Sequence, residues 1–123
     1  MNLREIDRLV AEKVMGWKLR KYFEDDCYIT DEWMTDIQDK FNNSFIVIDV
    51  DKFNPSTDIR DAWQVVEKLK IAVIPQAGDP PTDMKYLAEI DRQPFGDNYE
   101  AYAGTAELAI CLVALKSVGV NIE

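Results

Sequence analysis

A chain of 123 residues, 47% hydrophobic and 30% charged, is long enough for one packed domain and too apolar for a disordered tail. Its 14 basic and 23 acidic residues leave a net charge of −9, which opposes binding to nucleic acid phosphates. With no histidine and only two cysteines, Cys27 and Cys111, it lacks Ser-His-Asp and Cys-His nucleophile systems, histidine-bearing zinc sites and Cys₄ zinc sites.

The first predicted element is a helix over residues 3–17, where Leu3, Ile6, Leu9, Val10, Val14 and Trp17 recur at helical spacing. This charged, amphipathic start is not a secretory leader, and no apolar run reaches membrane-spanning length. A protein of a reducing cytoplasm, with two free thiols, is therefore expected. Lys13, Lys18, Arg20 and Lys21 form the one basic cluster, read as the basic last turn of that helix. Residues 18–44 read as a charged, irregular insert. Within it, Trp33, Met34, Ile37 and Phe41 share a face if residues 31–41 form a short helix. Phe45–Val50 is the clearest strand.

Ser56, as N-cap, opens the strongest helix signal, with Ile59, Ala62, Trp63, Val66 and Leu69 as its buried stripe. A strand over residues 71–74 follows, closed by Pro75. Residues 85–91 and 98–103 are weaker strands joined by a hairpin turn at QPFGDN, which puts Tyr99 and Tyr102 on opposite faces. The last helix spans residues 105–118, with Gly119 at C′. Only Glu107 and Lys116 interrupt its apolar surface, so another helix or another subunit must cover what one sheet cannot. Homo-oligomerisation through this helix is expected.

Three segments, LREIDRLVAEKVMGW, NPSTDIRDAWQVVEKL and AELAICLVALKSVGV, resemble in order and wording the phage ABA-sandwich domain family. The middle one, within FNPSTDIRDAWQVVEKLKIAVIP, is also similar to the NinX-type phage proteins. The resemblance implies an α/β fold: a small three-layer α/β/α sandwich with one short mixed or antiparallel sheet, of phage or prophage origin. It implies no particular reaction. Residues 18–44 and 76–97 depart from the family pattern.

Asp49 and Asp51 are spaced to share one face of a strand end, where two carboxylates can hold Mg²⁺ with a phosphate. Two solvated aspartates are the plainer alternative. No phosphate-binding glycine loop is present. Two helix N-termini offer N–H groups to an anion, one at Ser56, Thr57 and Arg60, the other at Gly104 and Thr105. Trp63, Tyr99 and Tyr102 are the aromatics available to stack on a base. Ordinary capping and a core tryptophan explain the same residues. The acidic run from Glu24 to Asp39 lacks calcium-loop spacing and reads as a solvated face.

The residues favour a non-enzymatic phage accessory protein, without a cofactor, that captures a small ligand; its sharper form is a sponge for a host nucleotide immune signal. An acidic module that occupies a basic site on a host protein is the alternative. A carboxylate and Mg²⁺-dependent phosphoester hydrolase using Asp49 and Asp51 is the second.

Overall fold

The computed structural model describes residues 2–38, 45–91, 96 and 98–120. Among these residues it contains three helices and two separate three-stranded antiparallel sheets, an α/β fold. Where one short sheet is predicted, the strands divide into an N-terminal sheet and a C-terminal sheet.

Helix α1 spans Leu3–Leu9, with the Asn2 side chain capping it by accepting from the Glu5 N–H at 2.9 Å. It continues as a π-helical turn over Val10–Val14, closed by the Met15 N–H to the Val10 carbonyl and by Gly16 in the left-handed region. The wider turn brings Val10, Ala11, Val14 and Met15 all into the core.

Strands β1 (Lys18–Glu24) and β2 (Cys27–Gln38) follow, an antiparallel hairpin in place of the predicted irregular insert and short helix. The basic residues Lys18, Arg20 and Lys21 thus lie on a strand, not in a helix end. The helical spacing of Trp33 and Met34 is coincidental: they are strand neighbours, and Trp33 is buried while Met34 is exposed. The predicted end of that helix and the turn at residues 42–44 fall outside the described residues. Strand β3 (Phe45–Asp49) pairs with β2, opposing Ile48 to Trp33, and completes the sheet order β1-β2-β3. A 3₁₀ turn over Val50–Lys52 then carries the chain into the core at Phe53. The Trp17 and Phe53 rings meet at 4.6 Å between centroids.

Helix α2 spans Ile59–Leu69 and is capped by Asp58 instead of Ser56. Its buried stripe is Ala62, Val65 and Val66; Ile59 and Trp63 face solvent, contrary to the predicted stripe. The C-terminal sheet is a meander of β4 (Ala72–Pro75), β5 (Tyr86–Ile90) and β6 (Tyr99–Ala103), close to the predicted strands. A 3₁₀ turn at Thr82–Met84 precedes β5. Most of the predicted QPFGDN turn lies outside the described residues.

Helix α3 (Ala106–Ser117) ends as predicted, with Gly119 in the left-handed region. Ala109, Ile110, Cys111, Val113, Ala114 and Leu115 are all fully buried. The helix packs against β4, β5 and β6 and against α1, its π-helical turn and α2. Other helices of the same chain therefore cover the surface for which a second subunit was expected. Burial pushes the Cys111 thiol up, so it stays protonated as a core residue.

Candidate functional site

The residues predicted to bind a ligand lie at two separate helix starts. At α2, the Ser56 N–H donates to Asp7 Oδ1 at 2.8 Å, and Ser56 is only 3% exposed. The Thr57 and Asp58 N–H groups donate to the Asn54 carbonyl, and the Arg60 N–H to Asp58 Oδ1. These donors are already used within the chain, which leaves little to hold an anion. The Arg60 side chain is exposed and pairs with Asp58. Trp63 is 52% exposed, on the open face of α2.

At α3, Thr105 caps the helix by accepting from the Leu108 N–H at 3.2 Å. A Cβ on Gly104 would lie 2.8 Å from the Thr82 carbonyl oxygen, so this glycine permits close backbone approach to the preceding 3₁₀ turn. Tyr102 is exposed on β6, whereas Tyr99 is half-buried. Tyr99 lines an open cavity of about 340 Å³ with Glu89, Ile90, Asp91, Asn98 and Glu100. Three carboxylates on one wall make that cavity a poor host for an anion. The four cavities lined by described residues hold the two groups apart: none of these four joins the Ser56–Trp63 residues to the Tyr99–Thr105 residues.

Asp49 and Asp51 do not share a face either. The strand ends at Asp49 and the 3₁₀ turn breaks the alternation, so Asp49 pairs with Lys52 at 3.8 Å while Asp51 pairs with Arg4 of α1. Among the described residues no group of three or more histidine, cysteine or acidic side chains is placed to hold a metal ion. The acidic run is divided as well. Glu24, Asp25 and Asp26 stand exposed at the hairpin tip, whereas Glu32 pairs with Arg20 at 3.2 Å and Asp31 is half-buried.

Asp31 belongs to a cleft that no local pattern announces. Arg4 and Arg8 of α1, Tyr28, Thr30 and Asp31 of β2, and Val50 and Asp51 of the 3₁₀ turn line a space of about 200 Å³. Four residues of it, Arg4, Arg8, Val50 and Asp51, also line a tight recess with Asp7, Trp33, Phe53 and Asn54. Each element has a reason for its place. The i, i+4 spacing stacks Arg4 and Arg8 on one side of α1, Trp33 and Phe53 seal the floor, and Asn54 Nδ2 donates to the Asp51 carbonyl at 2.8 Å to hold the turn. The Tyr28 hydroxyl donates to the Asp31 carboxylate, and this bond holds the tyrosine pKa above its ordinary value. Asp31 Oδ1 is nevertheless buried with no hydrogen-bond partner among the described residues. Beneath them, desolvation raises the Asp7 pKa, offset in part by the Ser56 N–H and the nearby hydroxyl. Of the residues lining this cleft, the sequence points to Asp51 as a candidate metal ligand and to Asp31 as part of the acidic run. The Arg4–Arg8 spacing was the available signal; Tyr28 and Asp31 reach the cleft only through the hairpin.

No helix among the described residues is long and apolar enough to cross a membrane. No match is found among curated proteins. A crystal structure at 2.0 Å of a phage protein from Bacillus cereus ATCC 14579 has a similar fold, with a TM-score of 0.61 and 30% sequence identity. The similarity covers 100% of this chain and 93% of that one. Residues 8–115 match the phage ABA sandwich domain, which includes α1 from Arg8 onward, both sheets and nearly all of α3. The chain belongs to the phage ABA sandwich domain family.

Proposed function

We propose that this phage protein is a non-enzymatic accessory protein that captures a small phosphorylated, hydroxyl-bearing ligand, of the nucleotide class, in the cleft between α1 and β2. The observation that carries this reading is the buried, unpartnered Asp31 Oδ1 beside two arginines. A buried carboxylate oxygen without a donor is costly, and a ligand hydroxyl or amine supplies that donor. Arg4 and Arg8 offer paired guanidinium donors to a phosphate, with Asp51 released from Arg4 as the phosphate arrives. Tyr28 offers an aromatic face at the rim. The space of about 200 Å³ suits a sugar phosphate moiety with a base lying outward along the tyrosine. A sponge for a nucleotide immune signal is the sharper form of this reading, since capture needs affinity and no turnover.

The test is a thermal-shift panel of linear and cyclic nucleotides and ribose phosphates, with native mass spectrometry of the protein as purified. A ligand at a hundredfold excess over its Kd stabilises the folded state by about 2.7 kcal/mol, a readily measured rise in melting temperature. That rise is expected to vanish in Arg4→Glu/Arg8→Glu and to weaken in Asp31→Ala. A panel that leaves the melting temperature unchanged, together with a bare purified protein, overturns the reading. Binding that survives the double arginine reversal moves the ligand to another site.

A further inference from the structure

The first hairpin leaves an exposed surface that the core does not use and of which the cleft takes only Tyr28. All seven residues of β1 are exposed, and β1 is the outer strand of its sheet. Among the described residues its outer edge carries no strand partner, so it presents a row of backbone donors and acceptors. Leu19, Tyr22 and Phe23 on this strand, and Tyr28 and Ile29 beside its tip, are large apolar residues each about half exposed. At roughly 200 Å² per large side chain they put on the order of 500 Å² into water, shared between the two faces of the sheet.

We propose that two copies of this chain pair edge to edge through β1, antiparallel, about a two-fold axis passing beside Lys21. The argument is the charge and shape order along Lys18-Leu19-Arg20-Lys21-Tyr22-Phe23-Glu24. A two-fold axis perpendicular to the sheet keeps each face with its own face, so opposed residue numbers must sum to an even value. Centring on Lys21 uses the whole strand. It opposes Lys18 to Glu24, Leu19 to Phe23 and Arg20 to Tyr22, each twice. The result is an ion pair, an apolar pair and a cation over an aromatic on either side of the axis.

Shifting the centre to Arg20 sets Lys18 against Tyr22 and leaves Glu24 beyond the strand; shifting it to Tyr22 keeps an Arg20–Glu24 pair but cuts the ladder from seven residues to five and moves Lys18 out to Asp26 of the loop. Parallel pairing sets lysine against lysine and glutamate against glutamate. The one unfavourable pair is Lys21 with its own copy at the axis, and its charge is already drawn aside: Lys21 Nζ lies 5.9 Å from the centroid of the Tyr28 ring on β2. Lysines on a free edge ordinarily discourage pairing; here the basic end of one strand meets the acidic end of the other. The product is one six-stranded sheet across the dimer, and the self-association surface moves from α3, which its own chain covers, to the hairpin.

The test is sedimentation equilibrium on the full chain with Lys18→Glu, Glu24→Lys and the double exchange. The wild type is expected to be a dimer. Each single exchange places like charges opposite one another twice and should weaken the dimer roughly tenfold or more. The double exchange should restore it, since it swaps the two ends and keeps them unlike. Both positions are exposed, so thermal melts of the three variants should show a common fold.

The register has its own readout in the Cys27→Ser background. Lys21→Cys should form a disulfide-linked dimer on mild oxidation, because directly opposed Cα atoms lie within disulfide reach. Lys18→Cys should stay unlinked, the two copies being about 20 Å apart at about 3.3 Å per residue. A monomeric wild type, a dimer insensitive to the single exchanges, or singles that the double exchange does not rescue each overturns the proposal.

Discussion

The helical body and the N-terminal hairpin obey opposite rules. In the body, α3 and the stripes of α1 and α2 bury their apolar residues, and each exposed apolar residue there, such as Trp63, is an exception against a clear pattern. In the hairpin every residue of β1 is exposed, apolar and charged side chains interleave, and only Trp33 and Thr35 of β2 are buried among its described side chains. The body is held by burial, which scales with area and selects one arrangement. The hairpin is held by its ladder and by one anchor, Trp33, seated against Phe53 and Val50. A body of this kind stores stability, and an arm of this kind is free to offer its surface to something else.

The sharpest way to break this contrast is to remove the anchor. Trp33→Ala should cost about 3–5 kcal/mol in denaturant unfolding, as for other buried aromatic truncations. Trp63→Ala, with half its surface in water, should stay within about 0.5 kcal/mol of wild type. Equal losses at the two tryptophans would erase the distinction. Next in size is Gly104→Ala, which drives a Cβ to 2.8 Å from the Thr82 carbonyl oxygen and should cost about 1–3 kcal/mol by forcing the 3₁₀ turn away. A neutral result would show that this turn yields freely and belongs with the arm and not with the body.

Asp7 tests, by pH, a buried joint of the body, between α1 and the start of α2. Its folded-state pKa is raised, chiefly by burial, so the unfolded chain gives up its proton first. Stability is therefore lost as pH rises through the window from the ordinary aspartate value to the raised one. Asp61, raised by the same cause, adds a loss of the same sign. Asp7→Asn keeps an oxygen for the Ser56 N–H and should flatten its share of that decline. Asp7→Ala leaves a buried N–H without an acceptor and should cost about 1–3 kcal/mol at every pH. Melting curves across the acid range separate the two variants; identical pH slopes in wild type and Asp7→Asn would remove Asp7 as the source.

The body was largely legible in sequence and the arm was not, for one physical reason. Leu3 to Val14, Ala62 to Val66 and the last helix each face a core, so their residues carry its period, and in the third strand Ile48 packs against it. Exposed on both faces, β1 has no buried side to impose alternation, and Trp33, Met34 and Ile37 fall at helical spacing by chance. The site shared this fate. Helix N-termini are visible locally, and they drew attention to Ser56, Thr57, Gly104 and Thr105; yet the donors at Ser56 and Thr57 are consumed by Asp7 and Asn54. The Arg4, Arg8, Tyr28 and Asp31 cleft exists only because the hairpin folds back over α1, and no local pattern encodes that.

The smallest expected effect lies at the hairpin tip, where the arm sets its own geometry. Glu24 pairs with Cys27, leaving a two-residue loop, and Asp25 and Asp26 both have positive φ, at 50° and 62°. Positive φ at both loop positions defines the primed turn that matches strand twist, and its preferred second residue is glycine. Asp26→Gly removes the left-handed cost of a side chain, but it also widens the unfolded ensemble. The net gain should be a few tenths of a kcal/mol, confined to the hairpin. Hydrogen exchange should detect it as slower opening of β1 and β2, with α3 unchanged. Should α3 gain protection by the same factor, hairpin and body would open as one unit, and the arm would be as integral to folding as the helices it leans on.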